Sequence, residues 1–239
     1  MDFGILKEKI KPKQKVLANC IAESNLLFAP VLFLAQPLCI IMKNIQILII
    51  FLFSVGIYAQ NISRINTDLK LSDSLTLDSE IRIYAGGGIT NYSSLFRMYK
   101  DKSEKWTAEF YQHYAKVSGQ AQLRTEKQTL KSENDMEYVW NSILRTNIQY
   151  LPNMSEIKYK MRERGNVELI DGEYQLMWKA KEIMDGIGYK AQIKADKKFH
   201  EVDFGNPESY LKYYPDVDEL IYFNELLDLI KNEFGIWKK

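Results

Sequence analysis

The stretch EIRIYAGGGITNYSSLFRMYKDKSEKWTAEFYQHY, residues 80–114, alternates with a period of two in three successive segments. Ile81 and Ile83 point one way and Glu80, Arg82 and Tyr84 the other. Phe96 and Met98 oppose Leu95, Arg97 and Tyr99, and Trp106, Ala108 and Phe110 oppose Thr107, Glu109, Tyr111 and His113. Side chains of a strand alternate between faces, so these segments predict three strands. The short connections GGGITNYS and DKSEK predict an antiparallel meander. One face of that meander is apolar and must be covered; the other gathers charged and aromatic groups.

C-terminal to the meander the period changes. The polar run KVSGQAQLRTEKQTLKSEND predicts a mobile loop with a possible strand near Ala121 to Thr125. Met136, Val139, Trp140, Ile143, Leu144, Ile148 and Leu151 then recur three or four apart. That spacing predicts an amphipathic helix capped by Asn134 or Asp135 and stopped by Pro152. Alternation returns at Ile157, Tyr159 and Met161, in VELI up to Asp171-Gly172, and from Tyr174 to Ala180. Tyr189, Ala191 and Ile193 predict a further strand, which ADKKF turns towards Phe199, Val202 and Phe204, making a second antiparallel group. Asn206-Pro207 leads into helices. The last carries the stripe Leu220, Phe223, Leu227, Ile230 and Phe234, with Asp216 and Glu219 as a capping-box-like start and Gly235 as its stop. The fold class this predicts is α+β: an antiparallel sheet with a central helix and an amphipathic C-terminal helix packed on one face.

The N-terminal quarter has another character. MKNIQILIIFLFSVGIYAQN begins at Met42, and from Ile45 to Ala59 only Gln46 and Ser54 interrupt an apolar or small series. Lys43 supplies a positive flank, and the run is short for a membrane span of about 20 residues. This predicts a signal peptide over residues 42–59, cleaved between Ala59 and Gln60, with residues 1–41 lying upstream of the true start and residues 60–239 forming one domain. Its ending resembles the "YAQ" of many Bacteroidetes signal peptides. The alternative reading keeps residues 1–59 as a membrane anchor flanked by Lys7, Lys9, Lys11, Lys13 and Lys15. Cys20 and Cys39, the two cysteines, both precede Met42. The exported portion therefore needs no disulfide, metal thiolate or thiol nucleophile. From Asn61 onward 26 Lys+Arg face 28 Asp+Glu, so the strongly basic face that nucleic acid demands is missing. The expected location is periplasmic or secreted.

Candidate chemistry is sparse. His200, in KKFHEVD, lacks further metal ligands nearby in sequence. Gly86, Gly87 and Gly88 lie between two strand patterns, not at the opening of a helix, so they predict a hairpin turn and no nucleotide cofactor. No cofactor or metal is expected. Glu109 and His113 share a strand face, but residues four apart on a strand stand about 13 Å apart at the usual rise and cannot pair directly. An envelope enzyme of hydrolase type using either one needs groups brought from elsewhere. The expected ligand-binding surface is the second face of the meander: Arg82, Tyr84, Arg97, Tyr99, Glu109, Tyr111 and His113. Such a polar-aromatic surface can stack on a glycan ring, hold an extended peptide or take a small molecule, unless a further layer covers it.

From LPNMSEIKYKMRER through DGEYQLMWKAK and GYKAQIKADKKFHEVDFGNPESYLKYYPDVDEL to FNELLDLIKNEF, the order of elements is similar to that of secreted or periplasmic Bacteroidetes proteins. In those proteins an "LP" strand, a "DG-x-x-Y" strand and an "NP" turn precede a last helix. The resemblance covers about the last ninety residues and implies no particular chemistry. The reading this supports is an exported, non-catalytic binding or structural module.

Overall fold

The computed structural model describes residues 5–7, 62–87, 90–119, 122–183 and 186–237. The expected signal peptide and its upstream extension lie outside them, apart from residues 5–7.

The fold is α+β with an antiparallel sheet, as the alternation predicts. Six strands pair antiparallel throughout: β2 (Glu80–Gly86), β3 (Tyr92–Lys100), β4 (Trp106–Tyr114), β5 (Arg124–Leu130), β8 (Gly188–Ala195) and β9 (Lys198–Gly205). Their order across the sheet is β5-β4-β3-β2-β8-β9. Register follows the apolar face: Ile83 lies opposite Phe96 and Ala191, and Phe96 opposite Phe110. A slip of one residue would turn Ile81, Ile83, Phe96 and Met98 out of the core.

Helices close that face. α2 (Met136–Arg145) begins at Asp135, whose carboxylate accepts the N–H groups of Glu137 and Tyr138, and it buries Val139, Trp140 and Ile143. α5 (Asp218–Phe234) buries Leu220, Phe223, Leu226, Leu227, Ile230 and Phe234 and ends at Gly235, where φ is 67°. A left-handed residue at this place is the usual glycine stop. Phe223 stacks on Phe204 at 4.3 Å between centroids, and Phe234 meets Phe96 at 5.1 Å. Trp237 sets its ring against Phe96, Phe110 and Tyr189 and donates its indole N–H to Ser94 Oγ. α4 (Pro207–Tyr213) follows Asn206, itself left-handed at φ 50°.

Several expectations are corrected. The polar run after the meander holds a full edge strand, β5, that begins at Arg124. Residues 131–135 are tied to α5, with Glu233 accepting from Ser132 and from both the backbone N–H and the side chain of Asn134. Period two gave no signal in RTEKQTL because six of its seven residues are exposed and polar. α2 stops at Arg145, well before Pro152. Thr146 caps its end and Asn147 turns left-handed at φ 58°, while Ile148 and Leu151 stay buried in the turn that follows. Ile157, Tyr159 and Met161 are not a strand. They lie in α3 (Met154–Ile157) and the 3-10 turn Lys158–Met161, started by a reciprocal cap between Asn153 and Glu156. Asp216 does not cap α5; Val217 holds that position without a side-chain bond, and Glu219 pairs with Lys160 at 2.5 Å.

The expected second antiparallel group is divided. β8 and β9 join the main sheet beside β2. β6 (Asn166–Ile170) and β7 (Glu173–Lys179) instead form a separate hairpin, whose outer edge on β7 is paired with β1 (Ile5–Lys7). The hairpin's turn, Asp171-Gly172, has φ of 53° and 81°, the two left-handed residues of a type I′ turn, whose twist matches the strands it joins.

Candidate functional site

The second face of the meander carries its polar groups inward. Arg82 is 1% exposed, His113 2%, Tyr84 and Tyr111 4% and Glu109 5%; Arg97 and Tyr99 are half-buried. Helix α1, residues 62–69, and the chain that follows it reach this face. Tyr84 donates its hydroxyl to Asn66 at 2.8 Å, Arg82 donates to the carbonyl of Ser72, and Glu80 accepts the N–H groups of Thr76 and Leu77. The covering layer that the sequence left open is therefore present.

All seven residues predicted for the site lie on this face; Tyr84 is bonded to Asn66, and the other six fall in two groups. In the first, two carboxylates share three cations. Glu80, fully buried, pairs with Arg82 at 2.8 Å and with Arg97 at 2.8 Å. Arg97 reaches on to Glu109 at 3.6 Å, and Glu109 also accepts from Lys127 at 2.7 Å, Tyr111 at 2.6 Å and Tyr99 at 3.3 Å. The Arg97 guanidinium lies 4.2 Å from the Tyr99 ring centroid. A buried charge is tolerable only when it is paired and its remaining valences are filled, and here each carboxylate is met from several sides. Burial alone would push the Glu109 carboxyl up; Lys127, Tyr111 and Arg97 outweigh it and hold it below the ordinary value. Burial and the neighbouring Glu109 carboxylate push the Tyr111 hydroxyl up.

The second group is a chain of hydroxyl, imidazole and carboxylate. Ser93 Oγ lies 3.0 Å from His113 Nδ1, and His113 Nε2 lies 2.8 Å from Asp68 Oδ2. Ser93 and His113 are opposite residues of β3 and β4, and Asp68 comes from α1. Serine, histidine and aspartate in this order can move a proton from a nucleophile. Ser93 is half-buried, at the end of the β2–β3 ladder opposite Gly86 and across from His113 on β4. As built, the chain fastens α1 to the sheet. Among the described residues Glu109 and His113 share no partner.

Sequence reasoning missed Glu80, Asp68, Ser93 and Lys127 as members of this network. Glu80 was within reach, being in step with Arg82 and Tyr84. Lys127 was hidden with its strand, and Asp68 lies 45 positions from His113 with no local pattern to point to it. His200 is half-buried, and its Nε2 meets the carbonyl of Leu151 at 2.7 Å. Among the described residues no group of three or more His, Cys, Asp or Glu is arranged to hold a metal ion.

The exposed counterpart is the β6–β7 hairpin. Opposite residues share a face, so Val167 with Leu176 and Leu169 with Tyr174 make an apolar side. Val167 is 68% exposed, Leu169 61% and Tyr174 79%. Trp178 continues the same side beneath the Arg162 guanidinium, 4.8 Å from its ring centroid. No helix among the described residues is long and apolar enough to cross a membrane. No family model, no curated protein and no solved structure matches the chain.

Proposed function

We propose that the protein is an exported, non-catalytic binding module of the cell envelope, periplasmic or secreted, and that it works through the apolar side of its β6–β7 hairpin. The observation that carries this reading is an inversion: the charged and aromatic groups of the meander are consumed by one another, while Val167, Leu169 and Tyr174 stand in water. Contiguous apolar surface of this kind marks an interaction site more often than chance exposure does. Export is supported by the tract from Lys43 to Ala59, whose length and flank suit a secretory signal. N-terminal sequencing of material from the envelope fraction tests it. A start near Gln60 is expected; recovery from the cytosol, or a start at Met1, would overturn it in favour of a cytosolic or membrane-anchored protein.

A second reading, an envelope hydrolase, is favoured by the Ser93–His113–Asp68 chain. Covalent labelling of the folded protein by a fluorophosphonate, lost in Ser93→Ala, would establish it; the absence of labelling is the outcome the binding reading expects.

A further inference from the structure

We propose that the exported chain pairs with a second copy of itself along β7, forming a two-fold antiparallel dimer centred on Leu176. This rests on the reading above, because it requires that residues 1–59 be gone.

The edge accepts a strand already. Ile5, Leu6 and Lys7 pair antiparallel with Lys179, Trp178 and Met177. Removing the leader takes that strand away and leaves two strands, one side of which is apolar and wet. A two-stranded hairpin is marginal by itself, and three or more strands are needed for independent stability. An exposed edge of this kind is a template for another strand.

The backbone settles which groups the edge offers. The two-residue turn makes Ile170 and Glu173 a hydrogen-bonded pair, and pairing alternates along the ladder. Odd-numbered residues of β7 therefore address β6. The N–H and C=O groups of Tyr174, Leu176 and Trp178 point to the other edge.

The sequence of β7, EYQLMWK, is complementary to itself about its central residue. With Leu176 opposite its own copy, Tyr174 faces the second Trp178 and Glu173 faces the second Lys179, each twice by symmetry. The aromatic pairs extend the apolar side made by Val167, Leu169 and Leu176, and the ion pairs lie on the other side. Opposite aromatic and opposite-charge residues are the favourable cross-strand combinations. Moving the register by one residue on each strand, so that Gln175 faces its copy, sets Glu173 against Met177 and Tyr174 against Leu176 and loses both. An interface that presents one patch to itself in this way closes at two copies.

The test uses the full chain with Cys20→Ser and Cys39→Ser, which leaves no thiol, and adds Leu176→Cys. Opposite residues in a hydrogen-bonded antiparallel pair have Cα atoms about 5.5 Å apart, within disulfide reach. Leu6→Pro removes a backbone donor from β1 and releases the edge. After mild oxidation the Leu6→Pro chain is expected to run as a disulfide-linked dimer, at least tenfold more than the chain that keeps Leu6. Glu173→Lys should suppress the dimer, and adding Lys179→Glu should restore it. A Leu6→Pro chain that keeps its native circular dichroism but stays monomeric overturns the proposal. So does cross-linking that ignores the charge reversal. Failure of the export reading shows itself separately, as an envelope protein that begins at Met1.

Discussion

The six-stranded sheet and the β6–β7 hairpin obey opposite rules about what is buried. In the large sheet one face holds Ile81, Ile83, Phe96 and Met98 under α2 and α5, and the other holds Glu80, Arg82 and Glu109, and both are closed to water. In the hairpin the apolar side chains of Val167, Leu169 and Tyr174 are exposed along with the polar ones. Side-chain polarity alone thus does not decide burial; available partners do. The charged face can be dry because its carboxylates and guanidinium groups neutralise one another and because α1 contributes Asn66 and Asp68. The hairpin has no such covering layer among the described residues.

The largest break in this comparison is Leu227→Asp. A carboxylate placed among fully buried apolar groups has no partner, and a loss on the order of 4–5 kcal/mol is expected, read as insoluble protein or a lost cooperative thermal transition. The same change at Val167 should leave the melting curve of the domain within about 0.5 kcal/mol of the parent, because surface substitutions rarely exceed that.

Arg82→Ala comes next. It strips a fully buried carboxylate of one of its two guanidinium partners, and removing one member of a buried pair costs about 3 kcal/mol or more. Urea denaturation should report it. Lys127→Ala, at the solvent end of the same network, should cost about 1 kcal/mol or less, since the lysine is 53% exposed. Equal losses at the two positions would mean that the network is not graded from core to rim.

Helix capping gives a smaller effect: Asp135→Ala removes the acceptor for two N–H groups at the start of α2, and about 1 kcal/mol is expected by the same measurement. Acid supplies a last test. Glu109 and Glu233 both have carboxyls held below the ordinary 4.5 by their donors despite burial. Each therefore stabilises the fold above that value, and the contribution is lost as pH falls through the lowered one. Stability should drop below about pH 4.5, and Glu109→Gln should make the drop shallower. An unchanged acid limb in that variant would deny Glu109 its place in the network.

Much of the large sheet was legible because its strands put apolar residues on one face and polar or aromatic ones on the other, although both faces are buried. EIRIYA, LFRMYK and WTAEFYQHY each alternate between apolar and polar, and of the core-facing residues they predict Ile81, Ile83, Phe96, Met98, Ala108 and Phe110 are buried while Trp106 packs half-buried at the rim. Legibility failed where a residue's state is fixed from afar. RTEKQTL pairs with β4 through backbone ladders that leave no trace in an all-polar sequence. Ile157, Tyr159 and Met161 alternate like a strand, yet the Asn153–Glu156 cap sets a helical turn there. At the site the seven predicted residues do share one face, since alternation decides which side a residue takes. It does not decide what lies above that side, and Asp68 and Asn66 arrive from a helix with no pattern linking it to the sheet.

The seam between β2 and β8 has a kinetic consequence. Ile83 meets Ala191 there across more than a hundred positions of chain, whereas β2 to β5 are joined by short connections. Contacts so distant in sequence close slowly. The meander can form early and yet wait, half-finished, for β8, β9 and α5 to arrive.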